Sequence, residues 1–110
     1  MSSFPGVTLS GLGNSPAINV DQTAPYVTGV PVFYGLGIIC TVSNGASLTY
    51  TVQITADQIP SSNGNWNNHD NLQSLGTSAN GSAGFPITGV RLNVSAYISG
   101  SVHMGIAKWP

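Results

Sequence analysis

With 110 residues, 41% of them hydrophobic, the chain is long enough for one domain with a modest buried core and too apolar for wholesale disorder. Charge is the unusual quantity: charged residues make up 5%, with Arg91 and Lys108 the cations, Asp21, Asp57 and Asp70 the anions, and a formal net charge of −1. Two cations cannot build the basic footprint of a nucleic-acid or membrane-surface binder, and so little net charge leaves copies of the chain free to associate.

The opening Met1-Ser2-Ser3-Phe4-Pro5-Gly6 lacks a basic stretch followed by an apolar run, so no signal peptide is expected, and no segment has the length of a transmembrane helix. A lone cysteine, Cys40, excludes an intrachain disulfide and a cysteine zinc site. Residues 1–29 are rich in Gly, Pro and Ser, and Pro5, Pro16 and Pro25 interrupt any helix or interior strand. Short apolar touches at Val7-Thr8-Leu9 and Ile18-Asn19-Val20 predict an extended N-terminal arm carrying one or two short strands. The folded domain is then residues 30–110.

From Val30 the pattern takes a period of two. Val30, Val32, Tyr34, Leu36, Ile38, Cys40 and Val42 occupy alternate positions, so one strand face is wholly apolar, and Leu48, Tyr50, Val52 and Ile54 repeat the pattern after Ser43-Asn44-Gly45. A three-residue loop there would pair Val42 with Ala46, Cys40 with Leu48, Ile38 with Tyr50 and Leu36 with Val52, and would put Gly45 where a left-handed backbone is needed. Gly35 and Gly37 fall on the opposite face, where they would permit a bend or a close approach by another segment. Val90, Leu92, Val94, Ala96 and Ile98 make a second alternating strand. A loop of Ile98-Ser99-Gly100 would lead it into Val102, Met104 and Ile106, pairing Ala96 with Val102 and Val94 with Met104. Two hairpins, each with one apolar face, cover each other most economically as an antiparallel all-β sandwich of jelly-roll-like form.

Between them lies a long polar segment, residues 58–86, with turn signals at Asn63-Gly64 and Asn80-Gly81 and one short strand expected at residues 83–87. Its Asn65-Trp66-Asn67-Asn68-His69 run admits two readings. An aromatic ring among amides can stack a sugar, or Trp66 can fold back and cap the core. His69, Asp70 and His103 with any of the serines would supply the residue types of a hydrolase, but no Gly-x-Ser-x-Gly turn occurs, and the three Asp residues lie far apart in sequence. No spacing matches a zinc or calcium loop. The sequence therefore predicts no catalytic residue, no metal ligand and no cofactor.

The stretch from Asn65-Trp66-Asn67-Asn68-His69 to Phe85-Pro86-Ile87-Thr88-Gly89-Val90-Arg91-Leu92-Asn93-Val94-Ser95-Ala96-Tyr97-Ile98-Ser99-Gly100-Ser101-Val102 resembles small structural proteins of tailed bacteriophages and prophages. The likeness covers roughly residues 50 to 107, is most specific from Arg91 to Ser101, and is departed from at the ending, Ala107-Lys108-Trp109-Pro110. It implies a virion component assembled in the host bacterial cytoplasm: a capsid decoration or cement protein, or another head- or tail-associated β module. The implied partners are the major capsid protein or other virion proteins and further copies of the chain, a trimer being the first expectation. The alternative is a carbohydrate- or receptor-binding module. Trp66, Asn67, Asn68, His69 and Tyr97 are the candidate contact residues in either case.

Overall fold

A computed structural model describes residues 2–20, 35–57, 60–83 and 87–109. Val30, Val32, Tyr34, Asp21, Pro25, Phe85 and Pro86 lie outside the described residues. In chain order the strands are β1 (Ser2–Leu9), β2 (Gly13–Asn14), β3 (Ile18–Asn19), β4 (Gly35–Val42), β5 (Ser47–Thr55), β6 (Asn67–Asn68), β7 (Ala79–Ala83), β8 (Gly89–Ser99) and β9 (Val102–Trp109). Two antiparallel sheets pack into a sandwich: β1-β9-β4-β7, and β2-β8-β5-β6 with β3 also on β8.

The alternation sets the core. Leu36, Ile38 and Cys40 of β4 face Leu48, Tyr50 and Val52 of β5, with Val90, Leu92 and Val94 of β8 and Val102, Met104 and Ile106 of β9 completing one apolar cluster. Cys40 sits inside it, as the alternation predicts. Burial pushes its thiol up to about 11, against an ordinary 9.0, while a hydrogen bond with Tyr50 pulls the other way. Less of the thiol is then ionised at a given pH, and the thiolate is the form that reacts. Iodoacetamide should therefore leave Cys40 unmodified in the folded protein and label it in guanidinium; labelling at the free-thiol rate under native conditions would contradict this placement.

The strand pairing is where the sequence expectation is corrected. β4 does not pair with β5, nor β8 with β9. Instead Val42 pairs with Val102, Cys40 with Met104 and Ile38 with Ile106, while Tyr50 pairs with Val94 and Val52 with Leu92. Each expected hairpin is an arch whose two strands belong to different sheets. Side by side, the arches form one antiparallel ribbon folded over on itself in jelly-roll manner. The turn chemistry explains why. Ala46 N donates to the Ser43 carbonyl across residues 43–46, with φ +77° at Gly45 and no positive φ at Asn44. In a three-residue hairpin with Gly45 third the turn would begin at the Val42 carbonyl. Here it begins at Ser43, so Asn44 and Gly45 are its central pair and only the second has positive φ, a turn that splays its strands. Gly45 is left-handed as expected, but it steers the chain into the opposite sheet.

A second correction concerns the end of β8. Ala96 and Ile98 were expected inside; Ala96 is exposed and Ile98 is 80% exposed. The ladder with β5 shifts between Thr49/Tyr50 and again between Ser47/Leu48, so Leu48 faces Tyr97. Each bulge adds one residue and reverses the side-chain phase. Of the short strand expected at residues 83–87, residues 84–86 lie outside the described residues; the described strand β7 runs from Ala79 to Ala83.

The described part of the expected arm is extended and lies along both sheets of its own chain. β1 pairs with β9, its register broken between Phe4 and Val7, and β2 and β3 pair with β8. Pro5 falls in that break on an edge strand, where its missing N–H costs no ladder bond.

Candidate functional site

The polar residues singled out above belong to one end of the β5-β8 sheet, and cross-strand register places them. Gln53 pairs with both Asn68 and Arg91, so three strands present one row on the outer face, opposite the buried Val52, Val90 and Leu92. The row is joined donor to acceptor. Arg91 Nε donates to Gln53 Oε1 (2.7 Å), Gln53 Nε2 to Asn68 Oδ1 (3.1 Å), and Asn68 Nδ2 to Gln73 Oε1 (3.3 Å).

Arg91 is 9% exposed although it stands on the exterior of the sheet. Its cover is Trp66, whose ring centroid lies 4.4 Å from the guanidinium carbon. Trp66 is pinned by its own Nε1, which donates to the Ser61 carbonyl at 2.7 Å, and Arg91 Nη1 donates to the Ser62 carbonyl at 3.2 Å. Loss of water around the guanidinium lowers its pKa. One face of the Trp66 ring is thus occupied by a side chain of the same protein, in the manner of a cation–π pair.

The loop that carries Trp66 closes on Asp57. The Asn65 amide donates to Asp57 Oδ2 (2.7 Å) and Asn65 Nδ2 to Oδ1 (3.2 Å), while the Thr55 hydroxyl donates to the Asn65 carbonyl (2.8 Å). The Asn65 backbone bond, then its side chain, favours the ionised carboxylate and holds Asp57 below the usual 3.8. A depressed folded-state pKa adds stability that is complete above the unfolded value and is lost as pH falls through the folded one. Thermal unfolding between about pH 6 and pH 2 should accordingly show a steeper loss for the wild type than for Asp57→Asn. Parallel curves would contradict the linkage.

His69 turns inward and is 5% exposed. The Asn71 amide donates to its Nδ1 (3.2 Å), so Nε2 carries the proton and donates to the Ser82 carbonyl (2.8 Å). His69 N also donates to the Val52 carbonyl, so this residue ties β5 of one sheet to β7 of the other. Asn67 and Asn68 are exposed on β6. Tyr97 is not brought to this group. It pairs with Leu48, six positions along β5 from the Ile54 that pairs with Asn67, or roughly 20 Å at a strand's rise. Its hydroxyl donates to the Gly100 carbonyl at 3.0 Å. His103 lies on the other sheet, 2.7 Å from the Thr8 hydroxyl. Among the described residues, no three His, Cys, Asp or Glu side chains gather as a metal site would need.

Sequence reasoning did not single out Arg91, Gln53 and Gln73 as partners of Trp66 and Asn68. The available signal was Arg91 as a charge on the polar face of an alternating strand; its cross-strand neighbour depended on a pairing that the hairpin expectation misplaced.

The exterior of the other sheet is of a different kind. Outward positions on β4 are Gly37, Ile39 and Thr41, paired with Ala107, Gly105 and His103 of β9. On the far side of β4, Gly37 meets Ser82 and Ile39 meets Asn80. Ile39 is 61% exposed between Gly37 and Gly105 on this face. Beside it is an open depression of about 320 Å³ lined by Gly6, Gly37, Gly105, Ala107 and His103. The His103 ring forms one wall by lying over Gly6, where a Cβ would come within 2.5 Å of it. These outward positions carry no Lys, Arg, Asp or Glu. Comparison of the chain with known protein families, with characterised proteins and with solved structures gives no match.

Proposed function

We propose that this protein is a structural component of a virion, a capsid decoration or cement protein that stabilises the particle through repeated contacts with the major capsid protein or other virion proteins. The observation that carries the reading is the exterior of the β1-β9-β4-β7 sheet, whose described outward positions carry no Lys, Arg, Asp or Glu and where Ile39 is 61% exposed among Gly37, Gly105 and Thr41. An isolated exposed Ile is ordinary on a protein surface. One standing among glycines, an alanine, hydroxyls, an amide and the His103 ring, on a chain with 5% charged residues, suits close packing against another uncharged surface.

The polar end of the molecule supports the same reading. Trp66, Asn68, His69, Gln53 and Arg91 are bonded to one another or to the backbone, and they stiffen the loop over the sheet. A stiff sandwich with few charges loses little entropy on docking, so many weak contacts repeated by symmetry sum to firm attachment.

The test is quantitative mass spectrometry of particles purified from cells that make the chain. A copy number that is a fixed multiple of the capsid symmetry is expected. Absence from particles, together with Trp66-dependent retention on a glycan array, would replace this reading with carbohydrate recognition.

A further inference from the structure

We propose that the exterior of the β1-β9-β4-β7 sheet is a two-fold self-association surface, in which Ile39 of each copy fills the glycine-floored depression of the other. The inference rests on the assembly reading above and narrows it: the uncharged surface that this face packs against is a second copy of this chain, and the pair meets the capsid by its other surfaces.

The geometry makes the face complementary to itself. Ile39 and Gly105 are direct partners on adjacent strands, so the projecting side chain and the floor of the depression lie side by side, about 5 Å apart. Take a two-fold axis in the interface, running parallel to the strands midway between β4 and β9. Rotation about it sets Ile39 of each copy over Gly105 of the other, and both depressions are filled by one operation. Both halves of the contact are on the same patch, so it is isologous and closes at two copies, unlike the trimer that composition and resemblance first suggest. The absence of Lys, Arg, Asp and Glu from these outward positions removes the repulsion that usually prevents a face from meeting its own image.

The size of the face sets the strength. Four strands, each contributing about six residues, cover roughly 400 Å² per copy and about 800 Å² in the pair. That is below the ~1,200 Å² of a standard stable interface, in the range of weak contacts. Dissociation constants on the order of 100 µM are expected free in solution, with the pair filling when a particle surface concentrates the copies.

Two substitutions separate this contact from mere stickiness. Ile39→Lys places a charge in each depression. Gly105→Val fills the depression while adding apolar surface, and the fold has room for it: a Cβ there meets only the Ile39 carbonyl, at 3.9 Å. Sedimentation velocity from about 10 µM to about 1 mM should show a monomer–dimer equilibrium for the wild type. Each variant should weaken it about tenfold or more, with no fall in Tm, and with a rise for Gly105→Val because a β-branched residue suits a strand better than glycine. A wild type monomeric throughout, a trimer, or a Gly105→Val protein that associates as well as the wild type would overturn the proposal. The particle measurement keeps the two ideas apart. A chain found in particles yet monomeric in solution overturns the self-association alone, and a dimer absent from particles overturns the virion reading alone.

Discussion

Gly100→Ala should destabilise the protein by about 2–5 kcal/mol, seen as a lower denaturation midpoint at unchanged m-value. Two independent requirements meet at this residue. Its φ is +92°, and a Cβ built there would come within 2.3 Å of the Ala46 Cβ and 2.7 Å of its Cα. The second requirement exists because the two arches run side by side: Ser43 N donates to the Ser101 carbonyl (2.9 Å), and Ser101 N to the Ser43 hydroxyl (3.0 Å). Gly45 provides the control. It also has a positive φ, +77°, but a Cβ there meets nothing within 4 Å, so Gly45→Ala should cost only about 1–2 kcal/mol. Ala46→Gly in the Gly100→Ala background should restore part of the difference. Equal losses for Gly45→Ala and Gly100→Ala would mean that the arches do not touch.

Arg91→Ala should cost about 2–4 kcal/mol. The guanidinium bonds Gln53 Oε1 and the Ser62 carbonyl and lies beneath the Trp66 ring, so its removal uncovers the loop and breaks the amide row at its source. Lysine is not an adequate substitute, because a single ammonium cannot reach both acceptors while stacking its plane on the ring. In a double-mutant cycle, Trp66→Ala and Arg91→Ala should couple by about 1 kcal/mol. Strict additivity would show that the stacked pair contributes nothing, and would free Trp66 for a role outside the fold.

The parts of this structure that could be read from sequence are those written in side-chain periodicity. Val90, Leu92 and Val94 point inward with Arg91 and Asn93 between them, and Leu36, Ile38 and Cys40 fall on the strand face that is apolar at every second position, although Ile39 between them is apolar too and faces out. Which strand lies beside which was not legible. An in-plane hairpin and an arch between sheets both require only that apolar residues face one interior, so face agreement could not choose between them. The choice lay in where the turn begins: a left-handed Gly45 serves both the third position of a three-residue hairpin and the second central position of a splaying turn, and the bond from Ala46 N to the Ser43 carbonyl selects the latter. The bulges at the end of β8 were invisible for a related reason: inserting one residue reverses the phase, turning Tyr97 toward Gly100 and Ile98 outward, without altering the alternation in the chain.

The candidate contact residues follow the same division. Trp66, Asn67, Asn68 and His69 are neighbours in sequence, but strand geometry sends Asn68 to the outer row and His69 to the interior, and Tyr97 lies far along the sheet. The glycines at 35 and 37 leave room, on sequence grounds, for close approach on the face away from the core. Gly37 lies beside Ile39, and Gly105 across from it on β9, on the sheet exterior proposed here as the contact surface.

Copy number per particle for two charge-adding variants tests the central claim most directly, because they place the same lysine on different parts of the sandwich. Ile39→Lys alters the small-residue exterior, and Asn67→Lys alters the exposed β6 strand of the other sheet. The account predicts that Asn67→Lys assembles at the wild-type copy number while Ile39→Lys is lost from particles. Retention of Ile39→Lys with loss of Asn67→Lys would contradict it and move the working surface to the Trp66 end.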